Sequence, residues 1–70
     1  MSVKLPVISG DRLIKILVRE GFAVRRQAGS HVVLQKGNVV FSVPRHQELK
    51  KGTLKAILKQ SGLSLEDLLK

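Results

Sequence analysis

Between Gly21 and Pro44 the chain runs through three short alternations of apolar and polar residues, each cut off by turn formers, and this punctuation limits the fold more than any other feature. Phe22 to Gln27 sets Phe22, Val24 and Arg26 against Ala23, Arg25 and Gln27, and Ala28-Gly29-Ser30 supplies turn chemistry before a second strand, His31 to Lys36. Gly37-Asn38 predicts a tight hairpin into a third strand, Val39 to Val43, which Pro44 ends because it has no N–H to offer a ladder. Parallel strands need a crossover of a dozen or more residues, so connections this short predict an antiparallel meander.

Helical periodicity flanks the meander on both sides. Ser9 or Gly10 caps a first helix with Asp11 in its first turn, where a carboxylate meets the positive end of the macrodipole. Leu13, Ile14, Leu17 and Val18 are expected to form its buried face, with Arg12, Lys15 and Arg19 pointing elsewhere and Gly21 as a left-handed terminator. RHQELKKG reads as a connecting loop, and a second helix is expected to start near Gly52-Thr53. Leu54, Ile57 and Leu58 make its apolar stripe, Lys51, Lys55 and Lys59 lie along an adjoining one, and Gly62 closes it. Ser64 and Asp67 cap a last turn from which Leu65, Leu68 and Leu69 dock back. The fold class is therefore α+β: helix, three-stranded antiparallel sheet, helix and a short C-terminal helix. Two amphipathic helices pack most simply on one face of the sheet and leave the other open. Val32, Leu34, Val39, Phe41 and Val43 then face the helices, and His31, Val33, Gln35, Val40 and Ser42 face out.

Seventy residues are expected to make one domain, 1–70, whose core is small, since a chain this short buries only roughly 60% of its unfolded surface. The net charge of +8 is unevenly spread: between Phe22 and Gln60 stand eight Lys and Arg and one carboxylate, Glu48. Such a density points to a polyanionic or acidic partner. Absence of cysteine fits a reducing, cytoplasmic compartment. The segment MSVKLPVISGD lacks a signal-peptide core, and no run approaches the ~20 apolar residues of a membrane span, so no membrane association is expected.

The chemistry open to this chain is narrow. Two-metal hydrolysis needs converging carboxylates, and Asp11, Glu20, Glu48, Glu66 and Asp67 are too few and too scattered; two histidines without cysteine make a zinc site equally unpromising. No metal and no cofactor is expected. Ser30 precedes His31, but neighbours on a strand point to opposite faces, so His31 is badly placed to activate it. RNA cleavage asks for less, because RNA carries its own nucleophile in the 2′-hydroxyl. Imidazole, which titrates near ~6.5 when unperturbed, suits the proton transfers. Arg25, Arg26 and a nearby Lys36 are candidates to hold the scissile phosphate, with Gly29 and Ser30 letting backbone approach it. Taken alone, His31 and His46 each read more readily as solvated polar residues than as catalytic ones. There is no Trp or Tyr, and Phe22 and Phe41 fall at core positions, so recognition must be of backbone and shape rather than by base stacking. Lys50, Lys51, Lys55 and Lys59, at and beyond a helix N-terminus, suit phosphates.

Taken together, SGDRLIKILVREGF, RRQAGSHVVL and VPRHQELKKGTLKAILKQSGLSLEDLL resemble the HicA toxin family of toxin–antitoxin systems over nearly the whole chain. The most specific pieces are Gly21-Phe22, Gly29 to His31, Val43 to His46 and Gly52 to Ser64. The resemblance implies a double-stranded-RNA-binding-domain-like fold, an mRNA interferase activity, and His31, the histidine of G-S-H, as the catalytic residue. His46 matches a second motif position and is a secondary candidate. It also implies a cognate HicB-type antitoxin that binds the toxin directly and can cover its active site; Ala23, Val33 and Val40 on the open face are a patch such a partner could cover. Two other readings stay open on the residues alone: a non-catalytic RNA-binding module that blocks translation by occupancy, and an interaction protein whose basic face receives an acidic partner.

Overall fold

A computed structural model describes residues 7–68. The elements are α1 (Gly10–Arg19), β1 (Ala23–Ala28), β2 (His31–Lys36), β3 (Val39–Pro44), α2 (Lys51–Ser61) and α3 (Leu65–Leu68). The strands form one antiparallel sheet in the order β1-β2-β3, so the architecture is the expected α+β arrangement of the double-stranded-RNA-binding-domain type.

Local chemistry explains most boundaries. Ser9 caps α1, its hydroxyl accepting the Arg12 N–H at 3.1 Å. At the other end the Phe22 N–H donates to the Leu17 carbonyl (3.0 Å) and the Gly21 N–H to that of Val18 (3.1 Å), a Schellman closure around Gly21. Helix α2 starts at Lys51, slightly before the expected Gly52-Thr53, and ends at Gly62. Ser64 and Asp67 make the reciprocal bonds of a capping box at α3, with the Ser64 N–H 2.8 Å from Asp67 Oδ2. Leu68 docks into the core and Leu65 packs against it, while Leu69 lies outside the described residues.

The core is a single cluster sealed between the helices and one face of the sheet. Leu13, Leu17, Leu34, Leu54 and Val43 are fully buried, and the Phe22 and Phe41 rings pack at 5.2 Å between centroids. Burial of each such side chain stabilises by about 1.5–3 kcal/mol, which is large against the stability of so short a chain. Ile8 and Leu49 join the cluster from the segments that precede α1 and α2, held together by the Leu49 N–H donating to the Ile8 carbonyl at 2.9 Å.

Four expectations need correction. Val18 is 47% exposed and Ile16 takes its place in the core. Two overlapping stripes were available on α1, and tertiary packing selects the one containing Gly10, whose missing side chain lets the helix start press on the Pro44 carbonyl. Val39 stays 39% exposed at the Gly37-Asn38 end, where the helical layer no longer reaches. Pro44 closes β3 rather than following it, tolerated as the last residue of an edge strand.

The fourth correction bears on function. Strand β1 carries a bulge between Val24 and Arg26: Val24 pairs with Leu34 but Arg26 pairs with Val33, leaving Arg25 as the additional residue. Past the bulge the faces exchange. Val24 and Gln27 lie on the helix side with Leu34 and Val32, and Arg26 and Ala28 lie on the open side with Val33 and His31.

Candidate nucleic-acid site on the open face of the sheet

His31 is the first residue of β2, entered through the two-residue turn Gly29-Ser30. Gly29 has φ +60° and no atom within 4 Å of where a Cβ would stand, so the turn needs glycine for its conformation and leaves open space above it. Ala28 on β1 and Pro44 on β3 are directly opposite His31. Neither offers a polar side chain. The imidazole is exposed and forms no hydrogen bond among the described residues, free to meet a ligand.

The bulge brings a cation onto the same face. Arg26 is opposite Val33, which makes it the diagonal neighbour of His31 on the open face, roughly 7–8 Å away and within reach of a long side chain. Strict alternation would have sent Arg26 to the helix side. Lys36, expected nearby, is not: it ends β2, roughly 16 Å from His31 at about 3.3 Å per residue. Its ammonium donates to the Glu20 carbonyl at 2.9 Å and stands 5.7 Å from the centre of the Phe22 ring, tying the sheet to the end of α1.

The backbone around His31 is fixed from the far side of the fold. The Arg45 N–H donates to the Ser30 carbonyl at 2.6 Å, extending the β2–β3 ladder past Pro44. The Arg45 side chain reaches Asp11 on α1, Nε to Oδ1 at 2.6 Å. That hydrogen bond holds the Asp11 carboxyl below its ordinary value; desolvation opposes the shift, and the charges of Arg45 and Lys15 add to it. Arg45 is raised by the same bond and by the charge of Asp11. The Gly10 N–H donates to the His46 carbonyl at 2.8 Å. Arg45 to Lys50 is therefore a connection pinned to the start of α1, with the His46 side chain exposed at the same end of the sheet as His31.

Helix α2 starts at that end as well. Its N-cap, Lys50, makes no side-chain capping bond and its first turn holds no acid, so the first N–H groups and the exposed Lys50, Lys51 and Lys55 form a strongly positive corner. Sequence reasoning missed Gly10, Asp11 and Arg45 as parts of this frame. Asp11 and Arg45 are 34 residues apart and carry no local signal of pairing. Among the described residues no three His, Asp or Glu side chains stand together as metal ligands, and no helix is long and apolar enough to cross a membrane.

A basic α-β-β-β-α domain with an uncovered sheet face and an exposed histidine at the head of the central strand belongs to the class of small double-stranded-RNA-binding-domain-like proteins. Within it, the family model described as the HicA toxin of bacterial toxin–antitoxin systems matches residues 10–63, from the first residue of α1 to just past α2. The chain belongs to that family: it is a toxin of a toxin–antitoxin system, with an antitoxin as partner. A comparison with curated proteins finds no match.

Proposed function

We propose that this toxin inhibits translation as a metal-independent endoribonuclease acting on mRNA in the cytoplasm, with His31 moving a proton at the scissile phosphodiester. The observation that carries the reading is the exposed, unbonded imidazole of His31 on the open sheet face with Arg26 diagonal to it. The 2′-oxygen attacks the adjacent phosphorus, the bond to the 5′-oxygen breaks, and the products are a 2′,3′-cyclic phosphate and a 5′-hydroxyl. One proton must leave the 2′-hydroxyl and one must reach the departing oxygen, and His31 serves one of these transfers. Arg26, joined by Arg25 at the bulge, holds the non-bridging oxygens and stabilises the charge that builds on them. The Gly29-Ser30 turn brings backbone to the phosphate, and Lys50, Lys51 and Lys55 with the start of α2 position the flanking strand. Lys36 is left out of the reacting set by its distance from His31. His46, at the same end, is the secondary candidate for the other proton transfer.

The test compares wild-type protein and His31→Ala on a defined mRNA in chelator, with circular dichroism to confirm that both are folded. Loss of a general acid or base lowers the rate by about 10²–10⁴-fold, and wild-type products should end in cyclic phosphate. Undiminished cleavage by His31→Ala would remove His31 from the mechanism. Tight binding without cleavage by either protein would favour the module that blocks translation by occupancy.

A further inference from the structure

On the face of the sheet opposite His31, the helical layer stops short of β1. All six residues of β1 are exposed, and Val24, which points to the helix side, is 52% exposed. A groove of about 440 Å³ separates β1 from α1; Ile14, Val24 and Val32 supply its apolar lining and Asp11, Lys15 and Arg45 its charged lining. Val18, one helical turn beyond Ile14 and also half exposed, prolongs the apolar strip. Asp11 is engaged by Arg45, whereas Arg12, Lys15 and Arg19 make no ion pair among the described residues. These three cations line a second depression of about 400 Å³ on the other flank of α1, so Lys15 forms a crest shared by both.

We propose that this groove anchors an amphipathic helix with an acidic flank, presented by the antitoxin, at a surface separate from the RNA-facing side. The uncovered strip is apolar where β1 lacks a layer above it, and among the described residues every charge along α1 beside it that makes no ion pair, Glu20 apart, is positive, so a helix with an apolar stripe and carboxylates fits both. Strand addition to the β1 edge is disfavoured by the bulge, which breaks the straight ladder another strand would need. A second copy would bring +8 against +8. RNA phosphates gain nothing from Ile14, Val24 and Val32. The toxin can thus be gripped from behind whether or not the His31 face is covered.

The inference rests on the family assignment and not on the ribonuclease reading, so its test is made on His31→Ala protein and reads binding alone. With the purified cognate antitoxin as probe, V18Q/V24Q, which changes no charge, should bind at least tenfold more weakly by calorimetry while keeping its circular dichroism and melting temperature and binding RNA within twofold of the parent. Lys15→Gln should reduce the salt dependence of antitoxin binding. Antitoxin affinity of V18Q/V24Q within twofold of the parent overturns the proposal. So does an equal fall in RNA affinity, which would make the groove part of the nucleic-acid surface, or a parent that sediments as a dimer and a variant that sediments as a monomer, which would make it a self-association face.

Discussion

Two glycines in helices should respond to the same substitution with opposite signs. Gly10 and Gly52 both lie in the first turn of a helix, where alanine is favoured over glycine by up to about 1 kcal/mol. At Gly52 an added Cβ meets nothing within 4 Å, so Gly52→Ala should stabilise the protein by roughly 0.5–1 kcal/mol. At Gly10 the added carbon would overlap the Pro44 carbonyl oxygen and stand 2.9 Å from Arg45 Cα. Both are backbone atoms, held by the Arg45 N–H bond to Ser30 and by the Asp11 clasp, so they cannot rotate aside. Overpacking of this kind costs about 1–3 kcal/mol, and parting α1 from β3 also sacrifices the Gly10 bond to His46, worth about 1 kcal/mol. After the helical gain is subtracted, Gly10→Ala should be destabilised by about 1–3 kcal/mol. Stability of seventy residues is roughly 4–10 kcal/mol at 0.05–0.15 kcal/mol per residue, so the loss is readily measured. Urea unfolding followed by circular dichroism should give a lower midpoint at unchanged slope. A Gly10→Ala protein as stable as wild type would refute the close approach of α1 to β3 and the frame it gives His31.

The site and its frame make further predictions. Arg26→Ala should slow RNA cleavage by about tenfold or more, because a charge-assisted hydrogen bond is worth about 1.5–3 kcal/mol and 1.36 kcal/mol is a factor of ten, whereas Lys36→Ala, which removes the same charge at the far end of β2, should slow it much less. Equal effects in single-turnover assays would mean that net charge, not the bulge, matters. Replacing Lys50, Lys51 and Lys55 together by glutamine should flatten the slope of log affinity against log salt for single-stranded RNA by about 2, at about 0.7 per lost phosphate contact; an unchanged slope would exclude this corner from the interface. The Asp11 carboxyl is depressed in the folded state, so its contribution is present above the unfolded value of about 3.8 and is lost as pH falls through the lower folded value. Asp11→Asn should therefore be slightly less stable than wild type at neutral pH, with the gap closing in acid and in high salt since the pair is exposed; a gap that widened in acid would contradict the clasp.

The amino-acid sequence by itself determined the features that depend on residues within a few positions of one another. Helix caps at Ser9, Gly21 and Ser64, the turns at Gly29-Ser30 and Gly37-Asn38, and the alternation that buries Val32 and Leu34 and exposes His31 all follow from local sterics and hydrogen bonding. The family motifs are legible for the same reason, since each is a run of consecutive residues. Only the tertiary structure decided which face Arg26 occupies, because a bulge shifts register by one residue and the letters AVRRQA read equally well without it. It also decided that Ile16 rather than Val18 enters the core, that Lys36 serves the end of α1, and that Arg45 clasps Asp11 across 34 residues of chain. Each of these is a choice between local solutions of nearly equal energy. Contacts with a distant segment settle it, and such contacts exist only once the chain has folded.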